Sequence, residues 1–269
     1  MPQKTKNITP AKLLNELEEH YKIEKILANG VPVWPFIRNI LYDYCLNTEI
    51  IKKPSTIKRS LNFLKSYNNP FKKTHSRYVL FTDFNELVKV GSKYEDKISQ
   101  NLINTLNDDL LIVINSLYSS RSLLIHNNKK YIHSSYFHFK RRQLLFKKNI
   151  SMENQKILDI AIGDFKINCN YYIKLFFTYV EVFNGWLKKT KPEAVFINCY
   201  YSLFHQALIY ACNNNGIKTV ELQHGLISEG HTQYSPIKNI GYEMFPQYLL
   251  TFGKYFSQFI NNNFINSKN

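Results

Sequence analysis

From Pro192 to Gly225 the chain spells out strand, helix, strand and glycine loop, and that order restricts it to an α/β fold. Pro192 precedes the apolar run AVFIN (Ala194–Asn198), read as a buried strand. A helix follows from about Tyr201 to Asn214. Asn215-Gly216 makes the turn into a second strand, KTVEL (Lys218–Leu222), which runs into Gln223-His224-Gly225. A strand that returns through a helix lies parallel to the first, in one sheet. Ligands of open α/β sheets bind beyond the carboxyl ends of the strands, so Gln223–Tyr234 occupies the position of a site.

The rest of the chain fits around this unit. Arg77–Asp83 (RYVLFTD) and Leu110–Asn115 (LLIVIN) are short apolar runs, the pattern of strands buried on both faces. Between them we expect a loop containing Gly91 and a helix from about Glu95 to Asn107. Thr9-Pro10 is a helix start that should direct Leu13, Leu14 and Leu17 inward and end near Tyr21. A second helix is expected around Pro35, with Trp34, Ile37, Leu41 and Tyr44 near one face. Asn47–Ser76 reads as a polar, basic connection holding one short helix near Leu61–Ser66. Residues 116–150 should supply a strand or two near Lys130–Phe139 and a basic helix, and two helices should fill Met152–Thr190. A strand over Gln247–Gly253 and a short helix over Lys254–Phe264 complete the pattern.

Of the 269 residues 44% are hydrophobic, enough for a substantial core, and disorder is excluded. The net charge of +15 sits almost wholly in the first half: residues 1–150 carry +13 and residues 151–269 carry +2. Such a half attracts polyanions, among them anionic lipid head groups and phosphorylated glycolipids. No helix-turn-helix, zinc-finger or RNP pattern supports specific nucleic-acid binding. Cys45, Cys169, Cys199 and Cys212 lie far apart, without CxxC or zinc spacing, and read as reduced thiols. The N-terminus lacks the apolar segment of a signal peptide, and the apolar stretch Tyr171–Leu187 is broken by Lys174 and Glu181. The expected location is cytoplasmic, with peripheral contact at the inner membrane face.

The loop ELQHGLISEGHTQY (Glu221–Tyr234) carries the densest chemistry. His224 at the mouth of a sheet can remove a proton from a sugar or glycerol hydroxyl, because imidazole titrates near neutral pH. Gly225 permits close approach of the backbone to a ligand. Gln223, Glu229, His231 and Tyr234 are further candidate substrate contacts, set against the plainer reading of an ordinary turn. Glu95 and Asp96 follow a strand and a glycine loop, so one carboxylate is an alternative base; the competing role is to stabilise a helix N-terminus. The basic, aromatic run Lys129–Lys148, with Arg141 and Arg142, suits an anionic membrane or a pyrophosphate-linked acceptor. His126, His133 and His138 lack the partners of a metal site, and no metal is expected.

The run PEAVFINCYYSLFHQALIYACNNNGIKTVELQHGLISEGHTQY resembles bacterial cell-surface polysaccharide transferases of the GT-B architecture. Capsule-type glycosyltransferases and CDP-glycerol glycerophosphotransferases carry comparable His-Gly motifs. VPVWPFIRNILYDY is similar to the W-x-x-x-R helix of that family through Trp34 and Arg38, and RYVLFTD with KYEDKI resembles its first strand and acidic helix start. The resemblance implies an N-terminal lobe that binds a lipid-linked or glycan acceptor. A second lobe would bind a nucleotide-sugar or CDP-polyol donor, which is a substrate, with no separate cofactor. His224 would be the interlobe base or phosphate contact, with Gln223 and Gly225 beside it, in metal-independent chemistry. The adjacent pair Asp108-Asp109, which is no DxD motif, agrees with that. After QYLLTFGKYFSQFI the family pattern continues into a second Rossmann-like domain, whereas here NNNFINSKN follows. The expected organisation is therefore N-terminal helices and a basic connection over 1–76 and a Rossmann-like acceptor lobe over 77–246. Residues 247–269 would begin a linker or a truncated donor lobe. The expected function is glycosyl or polyol-phosphate transfer in capsule, O-antigen or other surface polysaccharide synthesis. The alternative is a non-catalytic acceptor- or membrane-binding subunit that needs a partner chain.

Overall fold

The computed structural model describes residues 9–46, 75–82, 87–91, 93–114, 130–145, 149–236, 238, 240–261 and 265–268. The helix expected at Leu61–Ser66, His126, and part of the basic run (Lys129, Lys147, Lys148) lie outside them. The chain begins with helices α1 (Pro10–His20) and α2 (Trp34–Cys45), separated by the short strands β1 (Leu27–Ala28) and β2 (Val31–Pro32). Then come β3 (Tyr78–Thr82), β4 (Leu87–Val90), β5 (Lys93–Asp96), α3 (Gln100–Leu106), β6 (Leu110–Ile114), β7 (Lys130–His133) and α4 (Ser135–Leu144). The second half contains β8 (Met152–Glu153), α5 (Gln155–Ile162), α6 (Cys169–Thr190), β9 (Ala194–Ile197), α7 (Leu203–Asn214) and β10 (Lys218–Leu222). It closes with β11 (Tyr248–Leu250), α8 (Lys254–Ser257) and β12 (Asn266–Lys268).

Seven strands form one parallel sheet in the order β12-β11-β10-β9-β3-β6-β7. Counted along the chain from β3, this is 3-2-1-4-5-6-7, which contains the doubly wound Rossmann order. The central strands start level, with Tyr78 opposite both Leu110 and Ala194, and Ala194 opposite Lys218. Strand order reverses between β3 and β9. At that point the connections leave toward opposite faces, the place at the carboxyl edge where open α/β sheets hold their ligands.

Alternation along the strands divides the core in two. Val79 and Phe81 of β3 face the larger layer, where the Phe81 ring lies about 6 Å from those of Phe137, Phe183, Trp186 and Phe204. Leu80 faces a smaller layer with Ile103 of α3, Ile112, Ile114 and Leu222. The aromatic helix α6 therefore buries its stripe against the sheet. No helix among the described residues is long and apolar enough to cross a membrane.

The N-terminal helices follow the sequence pattern closely. Thr9 caps α1 through its hydroxyl, which accepts from Lys12 N at 3.3 Å, and Leu14 and Leu17 are buried. Tyr44 is the exception on α2. It sits in the last turn, 46% exposed, with its ring edge-on to Phe165 and outside the core. The helix expected over Glu95–Asn107 begins only at Gln100. Glu95 and Asp96 instead belong to a β4–β5 hairpin whose turn contains Gly91 at φ +61°. Leu87–Val90 pairs antiparallel with Lys93–Asp96 across that glycine turn, and this pairing prevails over the helix reading.

Residues 247–268, set apart by the sequence as a linker or the start of a second lobe, contribute β11 and β12 to this same sheet. Among the described residues, the expected helix over Lys254–Phe264 is a single turn, Lys254–Ser257. At the other end of β9, Lys191 terminates α6 in the left-handed region at φ +45°, its N–H bonded to Leu187 O at 2.8 Å. A side chain is strained there and glycine is not. Lys191→Gly is expected to raise stability by about 0.5–1 kcal/mol, read as a higher midpoint of urea unfolding.

Candidate functional site

Two strand ends build the site. Asn198, Cys199, Tyr200 and Tyr201 follow β9 and lead to Ser202, whose hydroxyl caps α7 by accepting from His205 N. The neighbouring β10 ends in Glu221 and Leu222, and Gln223 and His224 follow. The chain then turns through Gly225–Gly230 and folds back in a 3₁₀ turn, Thr232–Tyr234.

Glu221 is the centre of this arrangement. It is the one carboxylate in an otherwise apolar strand end and is completely buried. Its Oε1 accepts from Tyr200 N at 3.1 Å and from the Tyr234 hydroxyl at 3.0 Å, while Oε2 has no hydrogen-bond partner. Burial penalises the charged form more than these two donors favour it, and the carboxyl is pushed up to about 8. At neutral pH Glu221 therefore retains its proton.

His224 lies above it, about a quarter exposed, with Nδ1 3.9 Å from Glu221 Oε1. On its other side, Nε2 is 3.0 Å from the Tyr201 hydroxyl. Burial raises the Tyr201 phenol, so it stays protonated. In the tautomer that carries the ring proton on Nδ1, toward Glu221, Nε2 accepts from that hydroxyl. His231 packs edge-on against Tyr234 at 4.7 Å and against Tyr201 at 5.9 Å, and burial lowers its pKa, favouring the neutral ring. The arrangement is a base with a buried carboxyl 3.9 Å behind it and a hydroxyl in front of it. It can hold or move a proton at Nε2.

Gln223 plays a different part from that of a substrate contact. Its side chain is buried; Nε2 donates to Gly225 O at 2.7 Å and Oε1 accepts from Phe252 N at 2.7 Å. It staples the loop to the end of β11. Gly225 is exposed, its φ is not in the left-handed region, and a Cβ there would meet nothing within 4 Å. Its smallness is therefore not required by the protein's own packing.

The Trp34 and Arg38 pair is also accounted for. Trp34 Nε1 and Arg38 Nε both donate to Glu18 Oε1, at 3.0 and 2.8 Å, inside the core. Arg38 Nη1 continues to Thr232 O at 3.0 Å, and the Tyr200 hydroxyl donates to the neighbouring Gln233 O. The N-terminal helices thereby hold the 3₁₀ turn that carries Tyr234 beneath Glu221.

The structure thus brings His224, His231 and Tyr234 together, with Gln223 as their support. Glu229 remains on an exposed turn. Arg141 donates to the Tyr179 hydroxyl at 3.1 Å in the helical layer, and Arg142 is exposed on α4. Glu95 is half-buried in β5, while Asp96 is fully buried and accepts from Ser99. Sequence reasoning counts Glu221 among the polar residues of the loop without a role, and it misses Tyr201. The available signals were an acid inside an apolar strand and a tyrosine pair just past a strand end. No group of three or more His, Cys, Asp or Glu is placed to hold a metal among the described residues. Compared with known protein families, curated proteins and solved structures, the chain matches none.

Proposed function

We propose that this chain is a glycosyl or polyol-phosphate transferase of surface polysaccharide synthesis, with an acceptor-binding lobe that carries His224 as its base. The observation that carries the reading is the placement of His224 at the carboxyl edge, with Nε2 on a hydroxyl and Nδ1 facing Glu221. An acceptor hydroxyl that takes the place of Tyr201 at Nε2 loses its proton there. Its oxygen forms the new bond to the anomeric carbon or phosphorus of the activated donor. The bond to the nucleotide breaks, and the nucleotide leaves with that electron pair. The ring tautomer with its proton on Nδ1, toward Glu221, leaves Nε2 to accept. The resemblance of the QHG segment to polysaccharide transferases supplies the substrate class, and the +15 charge suits a lipid-linked acceptor at an anionic membrane surface.

The test is nucleotide release from a panel of nucleotide sugars and CDP-glycerol in the presence of bacterial lipid and glycan acceptors. Acceptor-dependent release is expected, and His224→Ala should slow it at least about 100-fold, the usual contribution of a general base. Equal turnover in the variant removes His224 from the mechanism. Release from none of the donors rejects the transferase reading.

A further inference from the structure

Across the end of β9 from His224, a second polar cluster lies on the other face of the sheet. Thr82 ends β3 and Asn198 follows β9, each one residue beyond the paired Phe81 and Ile197. By alternation they share a face with Leu80 and Leu222, opposite to Glu221. Asn198 Nδ2 donates to Thr82 Oγ1 at 3.0 Å, Thr82 Oγ1 donates to Asp96 Oδ2 at 3.4 Å, and Ser99 donates to the same oxygen. All four residues are more than nine-tenths buried.

The side-chain bonds of the cluster run from Asn198 through Thr82, and from Ser99, to Asp96, and no described cation pairs with that carboxylate. Asp96 Oδ1 receives only a 3.5 Å contact from Ile98 N, and Asn198 Oδ1, buried at the point where strand order reverses, has no partner. A buried acceptor left without a partner costs on the order of 1–3 kcal/mol, so an unfilled one at the reversal of strand order calls for a ligand that donates. Phosphate and carboxylate bring only acceptors and negative charge. Neighbouring hydroxyls bring donors.

We propose that Asn198, backed by Thr82 and Asp96, is a hydroxyl-recognising subsite for the diol of a sugar or polyol. Strands lie about 4.8 Å apart, so β3 to β10 spans roughly 10 Å, a distance that one sugar ring and its linkage can bridge. One ligand over the end of β9 places its ring hydroxyls on Asn198 and its reacting hydroxyl toward His224. That last placement rests on the function proposed above; the diol subsite stands without it.

The experiment is a titration of the asparagine-labelled full chain, following the Asn198 side-chain amide by NMR. The probes are methyl glycosides of glucose, galactose and N-acetylglucosamine, glycerol, and inorganic phosphate. At least one polyol should move the Asn198 signals while phosphate does not, and Asn198→Ala should weaken that binding about tenfold. Signals unmoved by every polyol, or moved by phosphate instead, overturn the subsite, as does unchanged affinity in a folded Asn198→Ala. The wild-type titration decides alone if that variant does not fold. Shifts at Asn198 combined with a His224→Ala that turns over normally would retain the subsite and reject the base.

Discussion

Replacing Glu221 with Gln is expected to leave stability near pH 4.5 unchanged and to raise it by several kcal/mol at pH 8 and above. The cause is the proton that the buried carboxyl keeps. In the unfolded chain this group titrates at the ordinary glutamate value of 4.5, while in the folded protein it titrates at about 8. Between those values the folded state binds more protons than the unfolded state, so stability falls as pH rises through the interval. It levels off above pH 8, where both states are ionised. The substituted glutamine has no proton to lose, and its amide oxygen can still accept from Tyr200 N and Tyr234. Urea unfolding at half-unit steps from pH 4.5 to 8.5 reads the slope directly. Parallel slopes for both proteins would show that Glu221 ionises normally and is no proton-bearing partner of His224.

The second large effect is at Arg38. Its ion pair with Glu18, 2.8 Å long with both side chains at 1% exposure or less, is a buried pair. Removing one partner of such a pair typically costs about 3–5 kcal/mol, because the other charge is left in the core. Arg38→Ala is expected to lose that much and to release Thr232 O, loosening the turn that carries Tyr234. The combination Glu18→Leu with Arg38→Met removes both charges and should recover most of the loss, less the contribution of the Trp34 bond. Denaturation of the single and double variants gives the coupling. A loss under about 1 kcal/mol for Arg38→Ala would place the pair with exposed ion pairs and remove its structural role. Faster amide exchange at Thr232–Tyr234 in the single variant would show that the tether acts on the site as well as on the core.

Helix α1, with its Thr9 cap and inward leucines, is legible in the sequence because capping and 3.6-residue periodicity are local. The strands at Val79, Ile112 and Val195 are equally legible, as short apolar runs of a buried parallel sheet. The β4–β5 hairpin is not read correctly, since Glu95-Asp96 after a glycine loop matches a helix start as well as a strand end. Pairing with β4 decides between them. At the site, His224 stands out by its glycine neighbour and strand-end position. Gln223 looks like a ligand contact and proves to be a staple, because its partners at Gly225 and Phe252 are set by how β10 and β11 lie together.

The sequence by itself determined that this protein has parallel α/β layers, a β-α-β unit ending at Gln223-His224-Gly225, and a basic first half. Each of these depends on residues near one another in the chain. The tertiary structure alone decided the strand order, and with it the reversal between β3 and β9. It also decided which polar groups meet. Asn198 reaches Thr82 across 116 positions and Arg38 reaches Thr232 across 194. No local preference encodes such contacts. They exist because burying the apolar faces of the strands and helices leaves one low-energy way to stack them, and that stacking brings distant side chains into a common interior.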